Sequence, residues 1–598
     1  MGSHLGSHAP RSAQPSASVG NAVPVGTRLK HWTLHAAGRF ALRRFQRGLP
    51  VARSVNAGEL RNILARNAAT DFGRQHDFAS VLASADPLGA FRKRVPLATY
   101  EDLMPYVERI KHGEESVLTS DPVHMLAGSS GTTGSPKRIP RTRRAQRHHL
   151  SLVVLAEQAV IDRDIAGARE PRRGINLMSL AASPAPEASA VPILAGPNAG
   201  MARLQRLIPL LWCAPAAVYA VADSATALYL QALFALKEAD ALYIETPFAP
   251  QITGWFALME QHHQQLIDDL ATGTLAPHLA LTPAERTAIE STLTPDPGRA
   301  AQVAEHFAAG FQGVIPRLWP DLRYLRTVTS GSFALSLSRL RWLAGPDLPI
   351  HSGCHSSSEG IIGINLKGDG STDYVLAIGT AFFEFIPLAD ADARQPPTHD
   401  LAELEVGRDY ELVITSSAGL YRYRLGDVIR ITGWVGEAPT FQFRYRRGTL
   451  LNLVGEKTSE QHTARALVAS LRRWLEVPDP IKDYTVAGHV GDGCGRYTFY
   501  VELDDRISAP SRDLTQPIAW LDEALGHENP YYLSSGRQPC RLAAPDLKLL
   551  RSGAFDALLA LQAARAAPVT STQLKVPRTI TTPEQLQLLE SFVDSQCP

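Results

Sequence analysis

Hydrophobic residues recur at helical spacing through the first part of the chain. Between about residue 27 and residue 115 this spacing predicts helices, and residues 28–46 predict a basic amphipathic helix. Two short apolar runs follow at 117–119 and 124–126. We predict that these runs form two strands on either side of a turn.

A long Ala-rich stretch from 143 to 310 also predicts mostly helix. Its most apolar part, residues 216–236, is about as long as a membrane span. Asp223, Ser224 and Gln231 interrupt it, however. We therefore predict a buried core helix there, and no membrane partner for the chain.

Alternating and β-branched runs predict strands in the second half of the chain. The predicted strands are 325–329, 348–351, 374–378, 382–386, 411–415 and 441–445. Helical stretches separate some of them. This mixture favours an α/β fold with more than one sheet.

The pattern breaks at Arg446-Arg447-Gly448, and a smaller unit follows. It carries a strand near 450, a helix from 460 to 475, strands near 484 and at 497–503, and helices near 516 and 553. The chain of 598 residues is also too long for one hydrophobic core. We predict three segments, which are a disordered tail at 1–26, a large N-terminal domain at 27–447 and a C-terminal α+β domain at 448–598.

Composition excludes some classes of partner and site. The formal net charge is +1, so electrostatics favour no nucleic-acid partner. The five cysteines are far apart and form no CxxC pair, which argues against a disulfide framework or a structural zinc site. A reducing compartment, the cytoplasm, is the predicted location.

The strongest sign of chemistry is a run rich in Gly, Ser and Thr after the apolar stretch 124–126. The run reads Ser129-Ser130-Gly131-Thr132-Thr133-Gly134-Ser135-Pro136-Lys137. Glycines let successive backbone N–H groups face one anion, the hydroxyls add donors, and the lysine adds positive charge. We predict a cradle for polyphosphate rather than a polar surface loop. The run lacks the Gly-Lys-Ser/Thr ending of a Walker loop.

This run resembles the phosphate loop of the adenylate-forming superfamily, which includes acyl-CoA synthetases, luciferases and peptide-synthetase adenylation domains. Further motifs follow in that superfamily's order, namely Cys354-His355-Ser356-Ser357-Ser358-Glu359-Gly360, Tyr421-Arg422-Tyr423-Arg424-Leu425-Gly426-Asp427 and Gln573-Leu574-Lys575-Val576-Pro577-Arg578. His355 stands where the superfamily has an aromatic residue. The resemblance implies a large multi-sheet α/β domain of the adenylate-forming type and a smaller, mobile C-terminal α+β domain.

The same resemblance implies a role for each motif residue, with ATP and Mg²⁺ as the cofactors. Lys137 and Lys575 would be the catalytic lysines, and Asp427 would bind the ribose. Glu359 would hold the metal, since a carboxylate suits hard Mg²⁺. The remaining assignments are Ser129, Ser130, Gly131, Thr132, Thr133 and Gly134 at the ATP phosphates, Ser357 and Ser358 at the adenine, and Arg447 and Gly448 at a hinge between the domains.

Other segments are similar to one branch of the superfamily, the auxin- and jasmonate-type acyl acid amido synthetases of plants and their bacterial relatives. They are Thr99-Tyr100-Glu101-Asp102-Leu103, Leu318-Trp319-Pro320-Asp321, Ala381-Phe382-Phe383-Glu384-Phe385, Glu456-Lys457-Thr458 and Gly553-Ala554-Phe555-Asp556. Together with Tyr421–Arg430 and Lys575–Arg578 they cover most of the chain. The phosphate loop is nearer the general superfamily form than the plant form.

This finer resemblance implies a ligase that converts a carboxylic acid to its acyl-adenylate and passes the acyl group to an amine, that of an amino acid. Two alternatives stay open at this point. An acyl-CoA ligase shares the adenylation step and differs in its thiol acceptor. A catalytically silent protein would bind nucleotide or acid without turnover, although such relatives usually lose the phosphate loop or the late lysine. The acid pocket is expected within residues 150–340, and no pattern indicates an oligomeric state.

Overall fold

The computed structural model describes most of the chain. The described residues are 25–128, 137–179, 189–195, 207–330, 336–447, 451, 453, 456, 458–491, 494–510, 513–530, 532–537, 542–565, 575–580 and 582–594. Residues 1–24 of the predicted tail lie outside this part. Val25 and Gly26, which were assigned to the tail, already belong to the first helix.

Helices supply most of the regular structure. They are α1 Val25–Gly48, α2 Ala52–Asn67, α3 Asp71–Gln75, α4 Phe78–Ala83, α5 Pro87–Arg94, α6 Tyr100–Lys111, α7 Arg143–His149, α8 Glu157–Asp164, α9 Ile208–Leu211, α10 Ala216–Tyr219, α11 Ser224–Lys237, α12 Ala249–Gln261, α13 His263–Thr272, α14 Pro283–Glu290, α15 Pro297–Ala308, α16 Val314–Leu318, α17 Leu337–Ala344, α18 Glu460–Leu475, α19 Thr515–Glu528, α20 Ala554–Arg565 and α21 Pro583–Phe592. A wide helical segment, Leu150–Ala156, joins α7 to α8.

The strands fall into four sheets. They are β1 Val123–Gly128, β2 Arg138–Thr142, β3 Ile175–Asn176, β4 Ile193–Ala195, β5 Tyr243–Phe248, β6 Tyr324–Val328, β7 Ile350–His351, β8 Cys354–Ser356, β9 Ile361–Ile364, β10 Tyr374–Leu376, β11 Phe382–Pro387, β12 Asp409–Thr415, β13 Tyr423–Val435, β14 Ala438–Arg446, β15 Ile481–Gly491, β16 Cys494–Leu503, β17 Asp546–Leu550 and β18 Thr579–Ile580. The strand orders are β2-β1-β4, β3-β5-β6-β7, β11-β12-β13-β14-β10-β9-β8 and β17-β16-β15-β18.

The amphipathic helix predicted near the N-terminus is α1. It packs along the segment Leu150–Ala156 and α8. Gly38 permits the close approach, because a Cβ there would lie 2.7 Å from the Leu155 carbonyl oxygen. The apolar face of α1 thereby joins the largest core of the molecule.

The strand predicted at 117–119 is wrong. Val117 and Leu118 are buried, but their carbonyl groups accept hydrogen bonds from groups that are not part of a neighbouring strand. The Val117 carbonyl accepts the Phe72 N–H at 3.1 Å, and the Leu118 carbonyl accepts the Tyr421 hydroxyl at 2.6 Å. A short apolar run can therefore lie in the core without strand pairing.

The four-stranded sheet β3-β5-β6-β7 is parallel and is covered by helices from residues 208 to 344. Our prediction of a mostly helical stretch missed β3 and β5. The core helix predicted at 216–236 is two helices, α10 and α11. They separate at Asp223, whose carboxylate accepts the Thr226 N–H at 2.8 Å and so caps α11.

The seven-stranded sheet carries the strands predicted at 374–378, 382–386, 411–415 and 441–445. In its centre β13 pairs antiparallel with β14, in a register that sets Asp427 opposite Arg446. Beside it lies a buried ion pair, since the Arg422 Nε donates to the Glu384 carboxylate at 3.1 Å. Arg422 holds a left-handed backbone with φ of 42°.

The C-terminal unit is a four-stranded sheet with helices on both faces. α18 and α19 pack on the face that carries Val486, while α20 and α21 pack on the face that carries Ala487. The predicted helix at 460–475 is confirmed as α18. Of the strand predicted near 450, the described residue Leu451 forms an isolated bridge with Thr458.

Candidate active site

A cavity of about 1070 Å³ lies between the N-terminal sheets and the C-terminal unit. Residues from both units line it. Ser357, Ser358, Glu359 and Asp427 come from the N-terminal sheets, and Lys575 comes from the segment before β18. The structure therefore brings these widely separated residues of the predicted site to one space.

Asp427 lies in β13 and is 2% exposed. Its Oδ1 accepts from the Arg446 Nε at 2.6 Å, and its Oδ2 lies 3.1 Å from the His355 Nε2. Burial alone would raise the pKa of the carboxyl group, but Arg446 and His355 outweigh burial and hold that pKa well below its usual range. Asp427 is therefore a fixed carboxylate, able to accept hydrogen bonds from hydroxyl groups.

An aromatic wall stands beside this carboxylate. His355 stacks on Phe443 of β14 with ring centroids 4.8 Å apart, and Tyr374 and Phe441 lie near the same ring. Ser357 follows on the cavity wall, where its hydroxyl accepts the Glu359 N–H at 3.3 Å. A flat, partly aromatic wall next to Asp427 suits a base attached to a ribose.

Glu359 and Lys137 meet through a residue that had been assigned no role. The Lys137 Nζ donates to the Tyr423 hydroxyl at 3.2 Å, and that hydroxyl donates to the Glu359 Oε1 at 3.3 Å. Burial raises the pKa of Tyr423, and Glu359 raises it further, so the phenol keeps its proton. Glu359 itself is 6% exposed.

Lys575 points from the C-terminal unit toward the N-terminal one. Its Nζ lies 4.3 Å from the centre of the Phe248 ring, at the end of β5. Burial lowers the pKa of Lys575 to about 8, with a further contribution from Arg446. The ammonium group thus faces the cavity in a position where bound anions would favour its charge.

The predicted phosphate loop, from Ser129 to Gly134, lies outside the described residues. Ser135 and Pro136 lie outside them as well. Gly128 and Lys137 are described, and the register of β1 and β2 sets Gly128 opposite Arg138. The two ends of the loop are therefore held side by side. Lys137 stands at the second of these ends.

The predicted hinge is described in part. Arg447 follows β14 directly, and its guanidinium donates to Glu411 at 3.2 Å and to Asp392 at 2.8 Å. Gly448 lies outside the described residues. These bonds tie the side chain of the first predicted hinge residue to the N-terminal domain.

A buried charge network lies deeper in the cavity. The Arg326 Nε on β6 donates to Glu157 at 2.8 Å, and a second guanidinium nitrogen of Arg326 lies 3.3 Å from Glu245. The Trp212 ring nitrogen also donates to Glu245, at 2.8 Å. One guanidinium meets two carboxylates here, so the charges compensate only in part and leave a formal charge of −1.

Sequence reasoning assigned no role in the nucleotide site to Tyr423, Arg446, Phe443 or Arg326. Tyr423 lies inside the motif Tyr421–Asp427, four residues before Asp427. This position in the motif was the signal that could have indicated a role for it. Arg446 and Phe443 reach the site through the register of β14 on β13, which no local pattern reveals.

Solved structures identify the class of the fold. A 2-hydroxyisobutyryl-CoA ligase in the postadenylation state, in complex with 2-HIB-AMP, matches with a TM-score of 0.51 at 13% identity, covering 90% of this chain and 92% of that chain. GH3.15 acyl acid amido synthetase matches with a TM-score of 0.79 at 26% identity, covering 92% of this chain and 94% of that one. The fold is that of the adenylate-forming ligases, as predicted.

Sequence comparisons identify the family. The models of the GH3 family N-terminal, central and C-terminal domains match residues 41–350, 374–446 and 463–584. The indole-3-acetic acid-amido synthetase GH3.8 of Oryza sativa subsp. indica is 30% identical over 560 residues, which is 91% of this chain and 90% of the relative. The indole-3-acetic acid-amido synthetase GH3.15 of Arabidopsis thaliana is 28% identical over 568 residues, which is 91% of this chain and 93% of the relative. The chain belongs to the GH3 family.

The family assignment confirms the predicted enzyme class. The protein is an acyl acid amido synthetase, an ATP-dependent ligase that conjugates an acid to an amino acid through an adenylate. An amine rather than a CoA thiol is therefore the acceptor. In the part of the chain that the structure describes, no helix is both long and apolar enough to cross a bilayer.

Proposed function

We propose that this synthetase carries out both half-reactions in the cavity between its two units, with Lys137, Glu359, Asp427 and Lys575 at the nucleotide. The supporting observation is that these four residues, taken from distant parts of the chain, converge on one cavity or on its edge. Asp427 would accept hydrogen bonds from the ribose hydroxyls. Ser357, Ser358 and the His355–Phe443 stack would line the adenine.

In the first half-reaction a substrate carboxylate oxygen attacks the α-phosphorus of ATP. A new C–O–P linkage forms, the bond between the α-phosphorus and the bridging oxygen breaks, and its electron pair leaves with pyrophosphate. Negative charge accumulates on phosphate oxygens, so positioned cations carry most of the catalysis. Lys575 and Lys137 would supply that charge, together with the N–H groups of the loop from Ser129 to Gly134.

Glu359 would hold Mg²⁺. The donor chemistry fits, because Mg²⁺ at phosphates uses one or two carboxylates and completes its shell with water and phosphate oxygens. When bound, the ion would neutralise part of the phosphate charge.

In the second half-reaction the amino group of an amino acid attacks the acyl carbonyl. The C–N bond forms, AMP leaves with the electron pair of the acyl C–O bond, and the nitrogen loses a proton. The C-terminal unit would rotate between the two steps about Arg447 and Gly448. A short segment at the end of a strand can absorb such a change.

The acid would lie between β6 and the segment Leu150–Ala156. Leu150, Val153, Val154, Tyr324 and Val328 line that part of the cavity. The rice relative is named for indole-3-acetic acid, and a GH3.15 structure contains 2,4-DB. An acid with an apolar ring system is therefore the proposed substrate class. The free thiols of Cys213 and Cys354 support a reducing compartment, the cytoplasm, as the proposed location.

ATP–pyrophosphate exchange tests the proposal with a panel of aromatic, indole, fatty and cyclopentanone-type acids, and with amino acids alone as a separate set. Exchange with one ring-containing class, followed by AMP release on adding amino acids, is the expected result. Exchange with an amino acid alone would overturn the assignment of acid and amine. ATP binding without exchange in any set would overturn the proposed function, whereas exchange only with fatty acids would overturn the proposed substrate class.

A further inference from the structure

One arginine on the cavity wall has no part in the chemistry proposed above. Arg141 lies in β2, four residues beyond Lys137, and it is half-buried and lines the cavity. Its Nη1 donates to the Ser358 carbonyl at 3.4 Å, which is long for such a hydrogen bond. A guanidinium group has five N–H donors, and this one makes no second hydrogen bond to the described residues. Donors of Arg141 are therefore available to a bound molecule.

Arg141 also differs from Arg326, a second arginine of the cavity, in its counter-charge. Arg326 donates to both carboxylate oxygens of Glu157, at 2.8 and 3.0 Å. Arg141 has no carboxylate within ion-pair distance in the described part of the chain. Burial lowers the pKa of Arg141, and the more distant Glu359 acts in the opposite direction. A partly buried cation without a close counter-charge would be stabilised by an anion bound in the cavity.

The position of Arg141 indicates which anion it meets. Its contact Ser358 belongs to the wall proposed for the adenine. Its neighbour His149 lines the same cavity and directly precedes Leu150, which lies in the part proposed for the acid. Burial and the charge of Arg141 lower the pKa of His149 to about 4, so that ring is neutral at physiological pH. Arg141 thus provides a positive charge between the places proposed for the nucleotide and the acid.

The adenylation step needs such a charge. A carboxylate and a triphosphate are both anions, and their repulsion opposes the approach of the attacking oxygen to the α-phosphorus. A guanidinium group binds a carboxylate through paired N–H···O bonds in a fixed plane. It can offset the repulsion and orient the carboxylate while one oxygen keeps a lone pair for the attack.

We propose that Arg141 binds the carboxylate group of the acid and orients it toward the α-phosphorus of ATP. This assignment rests on the proposed function, because the adenine wall and the acid pocket define which anion Arg141 meets. A residue with this role recognises the negative charge of the acid. The enzyme should therefore distinguish the acid from a neutral molecule of the same shape, and Arg141 should be responsible for the difference.

Kinetics of ATP–pyrophosphate exchange test the assignment with the panel acid that gives the fastest exchange. Arg141→Met keeps an unbranched side chain but removes the guanidinium group. We expect kcat/KM for the acid to fall by about 10- to 100-fold, as for the loss of hydrogen bonds to a charged group, while KM for ATP changes by less than about 3-fold. Arg143→Met is the matched control, because Arg143 is exposed two residues farther along the chain. Equal values in the two variants would overturn the assignment, as would a rise in KM for ATP alone.

Binding without turnover provides a second readout, since the primary amide of the same acid has its shape but no charge. Isothermal titration calorimetry gives Kd for the acid and for the amide in the presence of AMP, which cannot react without pyrophosphate. The preference for the acid should fall by about 10-fold or more in Arg141→Met and stay unchanged in Arg143→Met.

Arg141→Lys keeps the charge but lacks the paired donors, so it should lose only part of the preference for the acid. An unchanged preference in folded Arg141→Met, or in Arg141→Lys where the Met variant fails to fold, would overturn the assignment. Absence of exchange with every acid of the panel in the unaltered enzyme would instead overturn the proposed function.

Discussion

At the scale of single residues, the burial of Lys575 bears on the role proposed for it in adenylate formation. Burial destabilises its charge in the free enzyme and lowers its pKa to about 8. Bound phosphates would stabilise that charge again. The Lys575 ammonium group, which is poorly stabilised in the free enzyme, would therefore interact strongly with the negative charge that develops on the phosphate oxygens in the transition state.

Replacement of Lys575 by Ala is expected to reduce acid-dependent ATP–pyrophosphate exchange by about 10²-fold or more, because a preorganised donor to developing charge is lost. Exchange rates at saturating ATP and acid provide the measurement. Lys367→Ala is the control, since Lys367 is exposed. A decrease of only a few-fold would remove Lys575 from the mechanism.

The pH profile should report the same group. Lys575 carries its charge below a pKa of about 8 and loses it as the pH rises through that value. We therefore expect kcat/KM for exchange to fall on the alkaline side of about pH 8. In the Lys575→Arg variant the side chain stays charged at these pH values. The activity that this variant retains should therefore show no decrease in kcat/KM above about pH 8. If the decrease above about pH 8 persists in that variant, it arises from the titration of another group.

Tyr423 provides a test of a contact that the structure revealed. Tyr423→Phe removes the hydroxyl between Lys137 and Glu359. Exchange should fall by about 10-fold, which corresponds to one hydrogen bond to a charged group. Tyr106→Phe is the matched control, since its hydroxyl bonds Gln75 outside the cavity. Equal rates in the two variants would contradict a role for the contact.

The sequence allowed us to propose candidate site residues that stand inside continuous motifs, but not the partners of those residues. Glu359, Asp427 and Lys575 could be named because motif order and spacing are local properties. Arg446 and Phe443 could not, because they reach the site only when β14 pairs with β13 in one register. The charge state of Lys575 likewise depends on burial, which only the assembled cavity defines.

At the scale of elements, several segments that identified the branch anchor structure rather than contact the nucleotide. The Glu384 carboxylate accepts from Arg92, Thr398 and Arg422 inside the seven-stranded sheet. In the C-terminal unit, the Asn529 side-chain amide donates to the Glu456 carbonyl and the Thr458 hydroxyl. These motifs therefore indicate the fold of this branch.

Glu384→Ala should lower the free energy of unfolding of the N-terminal domain by about 3 kcal/mol or more, because it leaves the buried Arg422 without its counter-charge. Chemical denaturation followed by tryptophan fluorescence gives the measurement. Glu405→Ala should cost less than about 1 kcal/mol, since its pair with Arg408 is exposed. A similar loss in both variants would contradict the account of the buried pair.

Strands rich in β-branched and aromatic residues were predicted correctly, as at 382–386 and 411–415, although both are almost fully buried. The short strand β3 was not predicted. β3 has only two residues, Ile175–Asn176, which is too short for any periodicity. The segment 117–119 has the composition of a strand, but α3 and Tyr421 take its backbone bonds. Tertiary context decided both cases.

At the scale of the whole molecule, the proposed rotation makes the connection after β14 critical. Gly448→Pro restricts the backbone there, and we expect amide formation to slow by at least 10-fold while pyrophosphate exchange continues. Single-turnover measurements of the two half-reactions separate these effects. Gly58→Ala is the control, because Gly58 lies within α2 and an added Cβ there meets no atom within 4 Å. Unchanged rates for both half-reactions in Gly448→Pro would exclude the hinge.

The cavity wall described above is divided between two separately packed bodies, with Phe248 on one and Lys575 on the other. A molecule bound there touches both bodies, so its binding energy also joins them. Bound nucleotide and acid would therefore couple the thermal unfolding of the two bodies. We expect two thermal unfolding transitions in the ligand-free enzyme, and these should merge into one as the ligand concentration rises. Calorimetry would then reveal a bound substrate as an increase in the cooperativity of unfolding.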